Sequence, residues 1–518
     1  MDNNQFLTDW GLSLIVFVPV IGALVMMLIP AVEEQAHKVV ALVASLVPLG
    51  IGIALLFDFD YDKAGQLQYV VNRSWIDVIS SRYIVGVDGI SLPLVLMTLL
   101  ITPLVVIYSW HHFPEPHNPK AFLSIILLLH TGMLGVFVAQ DLILFFVFFE
   151  VVLLPMYFLI GVWGGERRQY ASIKFFLFTH FGSALMIVSF LALFFVADMN
   201  SFSMVDLAHG IAERNAAGTL ALSTQVLIFG GMFMGFGIKV PIFPFHTWLP
   251  DAHTEAPTQG SVILASIMLK LGTYGFIRVA LFILPEAAVE WAPWIGLLGV
   301  IGIIYGALAC LAQTDMKRLI AFSSVAHMGF VMLGIATLTD FGLNAAVMGM
   351  VAHGLITGML FFLTGSVKAR YHTMDIKRLG GFLLKIPRLG WLLGFCTMAS
   401  LGLPGLAGFW GEFPAILSAY NPGAGLSQGL FRGYMVTAAI GTVFGASYLL
   451  WLYQRTSFGV TKDEFEKVEI PDVTLTEWIA WVPLLALIVV LGVYPHFVFQ
   501  ITDPAMTAMG QTFAALGK

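Results

Sequence analysis

The chain has 518 residues, of which 58% are hydrophobic and 11% are charged. Soluble domains carry about 25% charged residues, so this composition excludes a soluble protein and indicates a polytopic membrane protein. The 25 Lys and Arg residues and the 31 Asp and Glu residues give a net charge of −6. That charge is small for this length and predicts no nucleic-acid partner.

The apolar segments are rich in Leu, Phe and Gly and are about 20 residues long, which is typical of transmembrane helices and not of barrel strands. Asp2 and Asp9 precede or begin the first segment without any Lys or Arg, which predicts a retained first helix and not a cleaved signal peptide. The fold class is therefore predicted to be all-α, with about fourteen transmembrane helices. These spans lie near 11–31, 37–57, 90–110, 121–138, 141–162, 172–197, 222–246, 257–282, 294–312, 319–338, 343–366, 389–418, 431–455 and 478–500.

Basic residues predict the orientation of these spans. Of the 25 Lys and Arg residues, sixteen lie in or beside loops after odd-numbered spans and six lie after even-numbered spans; the other three are Lys239, Lys270 and Lys518. By the positive-inside rule, the odd-numbered loops face the cytoplasm or the matrix, and both termini face the opposite side. The longest connection, 58–89, leans polar, and its Trp75 suits the membrane interface.

The stretch 230–275 holds two lysines, Lys239 and Lys270, among largely apolar residues, and between them the prolines at 241, 244 and 250 fall within ten residues. Proline removes a backbone donor and clashes with the preceding turn, so no intact helix runs through this stretch. Broken backbone at membrane depth is tolerated only where it packs in protein or lines a watered cavity. A lysine at that depth costs about 3 kcal/mol, so the two lysines are predicted to be functional.

The sequence also predicts two related halves. Span 5 carries Glu150 and span 7 carries Lys239, while span 10 carries His327 and the Pro404-interrupted span 12 carries Glu412. The separations are similar, 239 − 150 = 89 and 412 − 327 = 85. An offset of five helices is odd, so the second repeat must be inverted in the membrane, with broken helices 7 and 12. The predicted division is 1–120 for helices 1–3, 121–285 for the first repeat, 286–456 for the second, and 457–518 for the C-terminal loop and helix 14.

Glu150 is the single charge in its span after Asp141. A lone carboxylate at that depth is either protonated or paired with a cation, and Lys239 is the predicted partner. A static structural pair is the alternative. Lys270 lies near the middle of its span with no adjacent acid, so it is predicted to exchange protons and not to extend its amine to the interface.

Glu412 follows the interruption at Pro404 and is predicted to be a functional carboxylate. His327 and His353 lie on successive helices between the lysines and Glu412, and histidine titrates near neutrality, so the series favours a proton relay over buried structural histidines. His246, in the break, is predicted to link Lys239 to Lys270. The histidines at 130 and 180 are interpreted as structural.

Several motifs are absent from the sequence. It has no G-x-x-x-x-G-K-[ST] nucleotide loop, no cysteine cluster for iron–sulfur and no C-x-x-C-H haem site. Cys310 and Cys396 lie in apolar spans and are interpreted as packing residues. A series of ionisable residues inside the membrane, in a chain without a nucleotide or redox site, indicates a path for protons or ions. A partner protein would supply the energy.

The run FGIKVPIFPFHTWLPDAHTEAPTQGSVILASIMLKLGTYGFIR resembles the proton-conducting antiporter-like subunits of respiratory complex I. Within that family, HTWLPDAHTEAPTQGSVILA, LGLPGLAGFWGEF and YLLWLYQRTSFG are similar to the chain-M type, and the resemblance covers nearly the whole chain. Related subunits typically carry lysine at the position of Glu412. The chain ends soon after span 14, which leaves no room for the long lateral helix of the chain-L type.

The resemblance implies a role for each site residue. Glu150 and Lys239 match the modulating carboxylate–lysine pair, Lys270 the central lysine, and Glu412 the exit-side carboxylate. His327 and His353 match the connecting polar axis. The implied activity is proton translocation coupled to NADH oxidation and quinone reduction in other subunits, without redox chemistry in this chain.

The resemblance further implies a bacterial inner membrane, with the mitochondrial inner membrane as the alternative. The expected partners are membrane lipids and other complex I membrane subunits, including two related antiporter-like ones. FMN, iron–sulfur clusters and quinone are expected in partner subunits, and no cofactor in this chain. Three other readings stay open, namely a subunit of a multisubunit sodium/proton antiporter, a subunit of an energy-conserving membrane hydrogenase, and a purely structural spacer.

Overall fold

A computed structural model describes residues 3–516. In that range, thirteen helices are long and apolar enough to cross a membrane. A helix satisfies its own backbone hydrogen bonds, which is why apolar segments of this length adopt it in lipid. The prediction of an all-α polytopic membrane protein is confirmed.

We label the helices in chain order and leave single helical turns unlabelled. The first ten are α1 Leu7–Leu28, α2 Glu34–Asp58, α3 Leu92–Ser109, α4 Pro119–Val138, α5 Leu142–Trp163, α6 Arg168–Ala197, α7 Met204–Ala216, α8 Leu222–Lys239, α9 Trp248–Glu255 and α10 Thr258–Leu281. The others are α11 Pro285–Leu311, α12 Met316–Ala336, α13 Asp340–Tyr371, α14 Pro387–Ser400, α15 Ala407–Ser418, α16 Gln428–Ser457, α17 Leu475–Val493 and α18 His496–Leu516.

The predicted span 389–418 is divided into two helices, α14 and α15, each too short to cross a membrane alone. The connecting residues 401–406 include Gly402 and Gly405, whose φ angles of +77° and +91° are left-handed and favour glycine. Pro404 lies between them and cannot continue a helix. The sequence therefore predicted the interruption correctly. The interruption explains why thirteen helices, and not fourteen, are long enough to cross a membrane.

The predicted span 222–246 also ends early. Helix α8 stops at Lys239, the chain turns through residues 240–247, and the short α9 leads to α10. Helix α10 contains two π-helical segments, Leu264–Met268 and Phe276–Leu281, which lie on either side of Lys270. π-helical segments are rare in proteins, and those that occur often lie at functional sites.

The connection 58–89 forms an antiparallel β-hairpin, which the sequence analysis did not predict. Its strands are β1 Gln68–Ile76 and β2 Ser81–Val87. Trp75 is 41% exposed on β1, and a buried ion pair between Asp88 and Arg278 ties the end of the hairpin to α10. The hairpin thus fixes one end of the helix that carries Lys270.

Helices α10 and α13 form the centre of the molecule, since their most apolar windows are fully buried, whereas α2 and α16 bury about a third or less of theirs. Helix α13 packs against α15 at Gly349 and Gly411, where a Cβ added to Gly411 would meet the Gly349 backbone. Small residues allow membrane helices to approach this closely. This crossing brings His353 and Glu412 towards the same space.

The loops after α11, α13 and α16 come together at one end of the molecule. Backbone hydrogen bonds run from Met316 to Met374, from Ile376 to Thr314 and from Gly381 to Phe458. At the same end Asp251 of α9 accepts from Lys174 at 2.7 Å. These loops follow odd-numbered predicted spans, so their meeting agrees with the predicted common side. The inverted repeats and the four-part division stay predictions.

Candidate functional site

Lys270 lies at the centre of the molecule with 0% of its surface exposed. Its Nζ donates to the Ala265 carbonyl at 2.5 Å and lies 2.7 Å from His353 Nδ1. A protonated lysine has only donors, so in that state Nδ1 accepts and the proton of a neutral His353 lies on Nε2. The structure therefore brings two of the predicted site residues into direct contact.

His327 and Glu412 form a second contact. His327 Nδ1 lies 2.6 Å from Glu412 Oε1, and His327 Nε2 lies 3.2 Å from both Ser400 Oγ and Tyr448 Oη. Both ring nitrogens of His327 are thus in hydrogen-bond range of a polar atom. The neighbours of Nε2, Ser400 and Tyr448, were not predicted, because a lone hydroxyl in an apolar span gives little signal in the sequence.

A small cavity joins these two contacts. The rings of His327 and His353 lie 5.9 Å apart between centroids. The cavity between them is lined by both histidines, Thr357, Ser400 and Glu412, and its volume is about 20 Å³. That volume is room for about one water, which could hydrogen-bond to these polar groups. Lys270, His353, His327 and Glu412 thus form one series across the core.

Two of the other three predicted residues, Lys239 and Glu150, lie near each other without a direct ion pair. The ammonium of Lys239, a residue 2% exposed, lies 4.5 Å from the centre of the Phe149 ring. Glu150 instead has its Oε2 3.1 Å from His180 Nδ1. Within residues 3–516 no hydrogen bond or ion pair joins Lys239 to Glu150. The attraction between a buried ammonium and the face of an aromatic ring is favourable. The Phe149 ring therefore contacts Lys239 where the sequence predicted the Glu150 carboxylate.

His180, interpreted as structural from the sequence, is the contact of Glu150. Its side chain is 56% exposed on α6, and that of Glu150 is 22% exposed. A histidine in an apolar span has many structural explanations, so only its position opposite Glu150 reveals this role. The pair lies near the surface of the molecule.

His246 lies in the turn between α8 and α9. It packs against the rings of Phe243 and Tyr305 at 5.7 and 4.8 Å. In the described part of the chain it has no hydrogen bond to Lys239 or Lys270. Its predicted linking role therefore stays a prediction.

His253, near the end of α9, is a buried histidine that the sequence analysis did not single out. It is 0% exposed and stacks on Phe361 at 4.5 Å, and neither ring nitrogen has a partner among residues 3–516. It lies within electrostatic range of Lys270 and of Lys317, whose Nζ donates to the Ala256 carbonyl. The repeated spacing of two histidines around α9, in HTWLPDAH, was the available signal.

Comparisons with known proteins place the chain among respiratory membrane subunits. Residues 139–437 match the family described as NADH:quinone oxidoreductase/Mrp antiporter, TM, and residues 20–135 match the amino terminus of NADH-ubiquinone oxidoreductase chain 4. The chain is 40% identical over 512 residues to NADH-quinone oxidoreductase subunit M of Rhodobacter capsulatus, covering 97% of each chain. It is 38% identical to NAD(P)H-quinone oxidoreductase chain 4 1 of Synechococcus sp. (strain JA-3-3Ab), covering 98% of this chain and 94% of that one.

Solved structures show the same similarity. A chain of respiratory complex I from Thermus thermophilus superposes with a TM-score of 0.85 at 26% identity, covering 97% of this chain and 99% of that one. A chain of the Mrp complex from Dietzia sp. DQ12-45-1b superposes with a TM-score of 0.83 at 17% identity, covering 100% and 99%. The second similarity concerns the fold alone.

Proposed function

Because the chain belongs to the family of NADH-quinone oxidoreductase subunit M, we propose that its buried lysines, histidines and glutamates carry protons across the membrane. The chain is a multi-pass membrane subunit of a complex that oxidises NADH and reduces a quinone. The observation that carries the proposed path is the two short contacts, Lys270–His353 and His327–Glu412, which the cavity between the two histidines joins.

The geometry supports an order of transfer that differs from the order of the residues in the sequence. Protonated Lys270 gives its proton to His353 Nδ1, and His353 releases the Nε2 proton to a water in the cavity. His327 receives a proton on one ring nitrogen and passes the other from Nδ1 to Glu412 Oε1. Histidine can do this because it accepts and donates at different atoms near neutral pH.

In this proposal, the interaction of Glu150 with Lys239 controls when Lys239 releases its proton. An ionised Glu150 favours the charged form of a nearby lysine, and its withdrawal favours release of the proton towards Lys270. The contact with His180 gives the carboxylate an alternative partner, so the two arrangements can exchange. His246 and waters would cover the distance between the lysines.

The finer assignments belong to the same proposal. Redox chemistry takes place in other subunits, which hold FMN, iron–sulfur clusters and quinone. Two related antiporter-like subunits are neighbours, and both termini face the periplasm. The sodium/proton antiporter and hydrogenase readings share the fold, and no contact in the site favours either.

The test compares His353→Ala and Lys270→Ala with a matched control, His130→Ala, in inside-out membrane vesicles. His130 is another fully buried histidine, and it lies outside the series. NADH-to-quinone electron transfer and proton uptake are recorded together, with assembly checked on a native gel. We expect both rates to fall below about a tenth in the first two variants, which is a barrier increase of about 1.4 kcal/mol or more.

The control variant should keep most of both rates. Assembled Lys270→Ala complex that still pumps normally would leave only the structural-spacer reading. Loss of proton uptake with normal electron transfer would contradict the tight coupling in this proposal.

A further inference from the structure

A polar cavity of about 680 Å³ opens where the loops after α11, α13 and α16 meet. Its lining includes Lys377 of the loop after α13, Arg455 at the end of α16 and Lys462 just beyond it. All three side chains are exposed, and no acidic side chain lines the cavity. The cavity shares no lining residue with the cavity of the proton series.

The three cations are unpaired within the described range 3–516, although acids are available nearby. Arg378, next to Lys377, forms a bidentate pair with Glu464 at 2.9 and 3.0 Å. Arg455 lies 5.8 Å from the Trp451 ring centre and has no carboxylate partner. Three unpaired cations that line one cavity attract an anion, because each cation is repelled by the other two.

Exposed apolar residues lie in and beside the cavity. Leu308 and Leu311 of α11 are 48% and 38% exposed, Leu450 of α16 is 44% exposed, and Phe458 beyond α16 is 54% exposed. Trp451 lines the cavity. Tryptophan is enriched at the membrane interface, so its position suits a cavity at that depth. A ligand that fits both parts has an anionic head and a long apolar tail.

We propose that this cavity binds the phosphate headgroup of an anionic phospholipid, with its acyl chains along α11 and α16. Basic pockets between membrane helices on the cytoplasmic side are suited to such headgroups. The head would be held by Lys377, Arg455 and Lys462. The apolar surface beside the cavity favours a lipid over free phosphate, which has no tail to bury.

The experiment uses the assembled complex and a photoactivatable probe. Phosphatidylglycerol and phosphatidylcholine with the same diazirine-bearing acyl chain are each added to the purified complex and irradiated. Cross-linked peptides are then located by mass spectrometry. We expect the phosphatidylglycerol probe to label the segments 305–315 and 443–458 more strongly than the phosphatidylcholine probe.

The test variant is Lys377→Gln/Arg455→Gln/Lys462→Gln, and the matched control is Arg167→Gln/Arg388→Gln/Lys467→Gln. The control removes the same charge from exposed residues in odd-numbered loops outside the cavity. Each basic residue near the membrane strengthens binding of an acidic lipid about fivefold, so the test variant should lose on the order of 100-fold in affinity. The control should label like the unmodified complex.

Four outcomes would overturn the proposal. Equal labelling by both probes would indicate ordinary surrounding lipid, and equal loss in both variants would indicate a general effect of surface charge. Labelling abolished by excess inorganic phosphate would indicate a free-anion site. Failure of the test variant alone to assemble would indicate that the cations face an acidic surface of a neighbouring subunit.

Discussion

At the scale of single residues, His327 has polar neighbours at both of its ring nitrogens. Its Nδ1 faces Glu412, while its Nε2 faces two hydroxyls, those of Ser400 and Tyr448. When Tyr448 donates to Nε2, the ring proton lies on Nδ1 and points at the Glu412 carboxylate. An ionised Glu412 can only accept, so it favours the tautomer with the proton on Nδ1, and a hydroxyl that donates to Nε2 supports that tautomer.

The first prediction concerns Tyr448→Phe. Loss of one hydrogen bond to the ring costs about 1 kcal/mol, which is about fivefold in an equilibrium between tautomers. We expect proton uptake and NADH-to-quinone electron transfer to fall together by roughly threefold to tenfold, with normal assembly on a native gel. The control is Tyr434→Phe, because the Tyr434 hydroxyl donates to the Pro293 carbonyl, outside the series. Equal rates in the two variants would mean that Tyr448 does not orient His327.

The residues that could be predicted are those whose charge is costly in free energy to place inside a membrane. Lys270 and Glu412 were identified because a charge at membrane depth is rare without a function. The contact of His180 with Glu150 and the buried position of His253 were not predicted, because a neutral histidine in an apolar span is tolerated for many reasons. The order in which Lys270, His353, His327 and Glu412 lie next to one another was also out of reach, since contacts between α10, α12, α13 and α15 depend on packing that the sequence does not display.

At the scale of elements, the crossing of α13 and α15 controls the geometry of the series. A Cβ on Gly411 would meet the backbone of Gly349, so the two helices cannot keep their separation once a methyl group is added. Glu412 follows Gly411 directly, and His353 lies one turn beyond Gly349. Separation of the helices would therefore widen the cavity between His353 and Glu412.

The second prediction follows from that crossing. Gly411→Ala should destabilise the assembled complex by about 1–3 kcal/mol through overpacking and should lower proton uptake by about tenfold. Gly445→Ala on α16 is the control, because a Cβ there meets nothing within 4 Å. Thermal inactivation and proton uptake are measured for both. An unchanged midpoint and unchanged uptake in Gly411→Ala would show that the crossing is more adaptable than its geometry indicates.

The interruptions of the helices were predictable because proline has a fixed local effect. Pro404 and the prolines at 241, 244 and 250 marked both places where the structure departs from a continuous helix. The β-hairpin was not predicted, since a polar connection of that length has no strong apolar alternation. The π segments beside Lys270 also leave no simple pattern in the sequence.

At the scale of the whole molecule, orientation in the membrane is the main property still to be measured. The loops that hold most of the basic residues meet at one end, as the positive-inside rule requires. A buried pair between Arg370 and Glu477, at 2.7 Å, fixes the end of α13 to the start of α17. The sequence predicted this common end from charge alone, although it gave no information on which loops touch.

The third prediction uses two single substitutions, Lys63→Cys and Lys467→Cys. Both lysines are exposed, and the two native cysteines, Cys310 and Cys396, are buried, so their background reaction should be low. A membrane-impermeant maleimide should label Lys63→Cys only in right-side-out vesicles and Lys467→Cys only in inside-out vesicles. Labelling of both from the same side would contradict the proposed orientation and the periplasmic termini.

The cavity between His327 and His353 has a further consequence for control of conduction. No hydrogen bond joins the two rings within residues 3–516, and the space between them admits about one water. In the proposed path a proton crosses between the two rings through that one water, so removal of the water would interrupt the path without any movement of a helix. We therefore expect concentrated osmolyte, which withdraws water, to slow turnover.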